Sequence, residues 1–108
     1  MPRRKLSSPR AAAAVGREVD KITAVIASRQ STHGVFRENT KFIQAVKALM
    51  RDQPNWGKMW AYEMEAMDMF AHKMGRILHG DPHFVDHWDD VAGYAQRVVK
   101  TLRGDLTP

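Results

Sequence analysis

Residues 86–95, DHWDDVAGYA, hold three aspartates and a histidine within five positions and then a small, flexible AGYA. Like charges crowded on one helix repel one another, so the pattern asks for something that offsets the repulsion. On a helical wheel Asp86, Asp89, Asp90, Gly93 and Arg97 share one face, with Tyr94 at its edge. Upstream, Glu65, Asp68, His72, Arg76 and His79 recur at spacings of three and four and form a second polar stripe, with Lys73 at its margin. Both stripes begin acidic and turn basic toward their C-terminal ends. Carboxylates converging from two helices suit a hard divalent cation such as Mg²⁺, which binds through one or two carboxylates together with substrate phosphates. Basic residues one or two turns away would then meet phosphate oxygens. The alternative is a pair of solvated faces in which acids and bases pair along each helix. That alternative accounts for Asp68 with His72 and Arg76, and leaves Asp86, Asp89 and Asp90 together unexplained. His72, His79, His83 and His87 form no HExxH pattern, which argues against zinc.

Four amphipathic segments have to position these stripes. Val15, Val19, Ile22 and Ile26 put one apolar stripe on a first helix that should end near SRQSTHG. A second helix starts between Phe36 and Asn39, turns Phe42, Ile43, Val46, Leu49 and Met50 inward, and stops at RDQPNWG. The third, about 58–78, gathers Trp60, Met64, Met67, Phe70, Met74 and Leu78 in one sector, and HGDPHF closes it. The fourth, roughly 83–102, is expected to bury Trp88, Val91, Ala95, Val98 and Leu102. With no sustained two-residue alternation, the expectation is an all-α fold, an antiparallel four-helix bundle-like single domain spanning 15–104. The seven methionines read as core filler or a partner face.

Composition narrows the class. At 108 residues, with 44% apolar and 27% charged side chains, the chain suits one small domain. No apolar run approaches the length of a membrane span, and the start of the chain lacks a signal-peptide pattern, so an intracellular protein without membrane association is expected. Zero cysteines leave only oxygen and imidazole as metal ligands. The net charge of +5 is concentrated in Arg3, Arg4, Lys5 and Arg10. Residues 1–14 therefore read as a flexible basic, alanine-rich tail, suited either to solubility or to weak contact with nucleic acid or an acidic partner.

Three separated segments carry a resemblance. STHGVFREN (31–39), EAMDMFAHKMGRILHGDP (65–82) and DHWDDVAGYA (86–95) resemble a family of small phage and prophage proteins of unknown function. Its members carry THGxFxxN, KxxRIL-x-G-(D/N)-P and DHWxDIAGYA motifs in the same order over about residues 25–100. That family is similar, more weakly, to nucleotide-modification-associated phage domains and to the all-α nucleoside triphosphate pyrophosphohydrolases of the MazG and dimeric dUTPase group. The resemblance implies Mg²⁺ held by Glu65 and Asp68 on one helix and by Asp86 with Asp90, or with Asp89, on the next. Here the acidic motifs are E65-A-M-D68 and D86-x-x-x-D90 where those enzymes normally carry ExxE and ExxD, which places binding ahead of catalysis.

The remaining candidates are assigned by residue chemistry. His33 can contact a base or phosphate, and Asn39 can read a base edge or cap the second helix. Lys73 and Arg76 suit a phosphate clamp or ordinary surface pairing. Tyr94 suits base stacking, whereas Trp88 is expected to pack in the core. The expected function is a phage-type, Mg²⁺-dependent nucleotide-binding helical protein, pyrophosphohydrolase-like if it is an enzyme, in the cytoplasm of a bacterial host. The competing expectation is a phage accessory module without chemistry, which oligomerises through its methionine-rich helix and contacts host protein or nucleic acid through its basic tail. Either way a homo-oligomer is expected.

Overall fold

The computed structural model describes residues 8–105, so the first seven residues of the basic tail, with Arg3, Arg4 and Lys5, lie outside the described residues. Among these residues the chain is all-α, with helices α1 (Pro9–His33), α2 (Phe36–Arg51), α3 (Ala61–His79) and α4 (Val85–Leu102) and a short 3₁₀ turn at Trp56–Lys58. Ser8 starts α1 by accepting from the amide of Ala11 at 2.9 Å, and Pro9 follows at a position where its missing N–H costs nothing. The helix thus begins before the expected boundary at residue 15. It ends at Gly34, whose φ of 84° is left-handed and whose N–H returns to Gln30. α3 starts at Ala61, later than expected, because the 3₁₀ turn takes up the preceding residues. Glu63 holds this start by accepting from the amide of Trp60 at 2.9 Å.

α2, α3 and α4 run antiparallel with α3 in the middle. On one side of α3, Ile43 of α2 lies so close to Gly75 that a Cβ there would stand 2.9 Å from its Cγ1, and Phe42 meets the ring of His79 at 5.3 Å. On the other side, Ala66 and Lys73, two turns apart, face α4. Small residues therefore set both contacts, since a short side chain lets helix axes approach closely. The resulting core is narrow, with Ile43, Ala66 and Ala71 as its buried apolar members.

This arrangement departs from the expected core in specific places. Val15, Val19, Ile22 and Ile26 were expected to be buried, and instead stand 48–60% exposed, because α1 meets the other helices only through its C-terminal end. Trp60, Met74 and Leu78 are exposed rather than packed, since α2 and α4 occupy the two flanks of α3 and leave its broad apolar sector open. Trp88 is 54% exposed, which corrects its assignment to the core; its indole N–H donates to the carbonyl of Pro82 at 2.9 Å. The radius of gyration, 20.8 Å, exceeds the roughly 13 Å of a compact chain of this size. No described helix is long and apolar enough to cross a membrane.

Candidate functional site

The three sequence motifs meet at one corner. THG ends α1, HGDPHF joins α3 to α4, and His87 rises from the first turn of α4 against them. The carbonyl of Thr32 is the hub, accepting from the amide of Asp81 at 3.0 Å and from Nε2 of His87 at 2.7 Å. A carbonyl only accepts, so the His87 proton sits on Nε2. His87 is 1% exposed, and its ring meets His33 edge-on at 4.8 Å and Phe84 at 4.9 Å. The glycines let the backbones touch. A Cβ at Gly34 would lie 2.8 Å from the carbonyl of His79, and one at Gly80 would lie 2.2 Å from the Thr32 oxygen. Asn39, buried, donates through Nδ2 to the carbonyl of His33, while its Oδ1 has no partner among the described residues. Desolvation lowers the His33 pKa below its ordinary 6.5, and the charges of Arg76 and Arg29 push it the same way.

The acidic residues expected to share a metal are distributed by the antiparallel register. Asp68 turns toward α2 and takes both terminal nitrogens of Arg51 at 3.0 and 2.9 Å. This hydrogen bonding holds its carboxyl below the usual range against a smaller opposing effect of burial. Asp90 lies 2.7 Å from the ammonium of Lys73, whose hydrogen bond lowers the Asp90 pKa. Glu65 sits nearer the start of α3, beside Tyr94 and Arg97. It is eight residues before Lys73, and so about 12 Å along the helix from the level of Asp90. Asp86 is exposed near the corner, one turn before Asp90, and Asp89 is exposed on the same helix. Among the described residues, no three His, Asp or Glu side chains come together as a metal-binding group.

The expected ligand-contacting residues fall into two places. Lys73 and Tyr94 line a groove of about 220 Å³ on the polar side of the α3–α4 seam, with Asp90, Gly93 and Arg97. Lys73 is 6% exposed, and so is a buried cation rather than a member of a solvated face. Arg97 stacks over the Tyr94 ring at 5.6 Å. His33, Asn39 and Arg76 line a second recess of about 240 Å³ between α1 and α2. Arg76 links the two electrostatically, since its charge depresses the pKa values of both His33 and Asp90.

Sequence reasoning missed His87 as a structural group and Arg51 as the partner of Asp68. The signal for His87 was Phe84 three residues before it, on the same helical face, in FVDHW; Arg51 gave none, because its pairing spans two helices. No known protein family, curated protein or solved structure was found to match the chain.

Proposed function

We propose that the polar side of the α3–α4 seam binds the phosphate groups of a nucleotide or nucleotide-derived small molecule. The carrying observation is the buried ammonium of Lys73 at the base of a groove whose rim supplies Arg97 and Tyr94. A buried cation is costly unless paired, and Asp90 is its only ion-pair partner among the described residues. A phosphate entering the groove would give Lys73 and Arg97 a doubly charged acceptor and free Asp90 from the pair. The planar ring of Tyr94, already stacked on a guanidinium, offers a face to a base.

Glu65 and Asp86 have no ion-pair partner among the described residues and flank this groove along its axis. Mg²⁺ would therefore arrive on the phosphates and take one or two carboxylates, with no preformed acidic quartet. This favours binding over turnover in a single chain, and pyrophosphate release is a separate readout.

The test is a thermal-shift and calorimetric titration of the full chain with nucleoside triphosphates, inorganic triphosphate and unphosphorylated nucleosides, with and without Mg²⁺. Ligand at a hundredfold excess over its dissociation constant adds about 2.7 kcal/mol of stability. Triphosphates should produce that shift and nucleosides should not. Lys73→Met and Arg97→Met should each remove it while leaving the helical content intact. Absence of any shift with every phosphate at millimolar concentration overturns the reading.

A further inference from the structure

With α3 flanked by α2 and α4, the layer has a second open side opposite the polar groove. There Met59, Ala66, Met67 and Phe70 face Ala95 and Val98 across an apolar groove of about 200 Å³. The only charged residue on it, Glu63, turns its carboxylate back to the Trp60 amide. The apolar side continues along both helices at two-turn spacing. Met74 follows Met67, and Trp88 and Leu102 stand either side of Ala95, all three between 39 and 54% exposed. A second unpartnered surface is the stripe on α1, whose 4-3-4 spacing from Val15 to Ile26 suits packing into such a groove.

The chain's own α1 is held away from this groove. Only Gly34 and Val35 separate it from α2. The corner fixes the exit direction, with Thr32 bonded to Asp81 and His87 and Gly34 pressed against the His79 backbone. The last turns of α1, including Ile26, Arg29 and His33, line a recess with Arg76, so α1 leaves the corner on the polar side.

We infer that a second copy of the chain supplies the missing layer, each copy laying its α1 stripe in the apolar α3–α4 groove of the other. α1, at 25 residues, is about 37 Å long, enough to run the length of either groove helix. Buried area selects this pairing over a simple α1–α1 contact. Two α1 stripes against each other would cover one apolar face per copy and leave both α3–α4 grooves open. Reciprocal exchange covers each stripe and each groove, two apolar faces per copy, and so buries about twice the area toward the approximately 1,000 Å² that a specific interface needs. Short connections that resist closing on their own chain invite exchange between copies.

The chain has no cysteine, so introduced thiols report uniquely. Ile22→Cys and Ala95→Cys proteins should each be dimeric by light scattering. Mixed, re-equilibrated and treated with a short bismaleimide, they should give a covalent dimer containing one of each. Neither protein alone should crosslink. Ile22→Asp, at a position exposed in the single chain, should keep its helical circular dichroism and weaken dimerisation at least tenfold. A monomer in solution, a covalent dimer from Ile22→Cys alone, no crosslink from the mixture, or an Ile22→Asp protein that dimerises as well as the parent would each overturn the inference.

Discussion

Replacing Gly80 by alanine tests whether the corner where the three motifs meet holds the fold together. The φ of Gly80 is −110°, outside the left-handed region, so the penalty is contact. The added Cβ would lie 2.2 Å from the Thr32 oxygen and 2.7 Å from the Arg76 oxygen, both backbone atoms that cannot rotate away. Relief requires Thr32 to retreat, and its carbonyl carries the bonds from Asp81 and His87. Overpacking costs about 1–3 kcal/mol, and two weakened hydrogen bonds add roughly 1 kcal/mol each, for a loss of about 3–5 kcal/mol. At about 4–8 °C per kcal/mol for a domain of this size, the melting temperature should fall by at least about 12 °C. Gly93→Ala is the matched control, because nothing lies within 4 Å of its Cβ and it sits inside α4. It should raise stability by about 0.5–1 kcal/mol through helix propensity. Urea titrations followed by circular dichroism at 222 nm, with unchanged slopes, give both values. A Gly80→Ala protein within 1 kcal/mol of the parent would refute the steric account of the corner.

Three further outcomes follow from the same geometry. Asn39→Ala should lower stability by about 1–2 kcal/mol, since it leaves the partly buried carbonyl of His33 without its donor; an unchanged urea midpoint would count against that bond. The Asp68 pKa is lowered in the folded chain by hydrogen bonding to Arg51, so the pair's contribution is complete above the ordinary value of 3.8 and is lost as pH falls through the lowered one. Asp68→Asn should therefore shrink the acid-side loss of stability, and an identical acid limb would refute it. The His33 pKa is lowered by burial and by Arg76 and Arg29, so its neutral form stabilises the fold above pH 6.5, with that stability lost as pH falls through the folded value. Its imidazole resonances should titrate with a midpoint below 6.5, and a midpoint at or above 6.5 would remove the argument.

The sequence by itself determined which segments are helical and where they stop. Pro54, Gly34, Gly80 and Pro82 interrupt four amphipathic periodicities, and interruption is a local property of the chain. It also marked the surfaces on which both proposals rest, because the polar stripes of α3 and α4 and the apolar stripe of α1 are all legible at helical spacing. Tertiary structure decided what each stripe faces. A wheel gives the direction of a residue about its own axis and says nothing about how many neighbours that axis has. α3 has two, so Ala66 and Ala71 became core while Met74 and Leu78 were left open, and Lys73 at the polar margin was drawn into the seam. The antiparallel register, set by close approach at Gly75 and by the Lys73–Asp90 pair, sent Asp68 to Arg51 and kept it from Asp90. Charge pairing across helices depends on that register, which no single helix encodes.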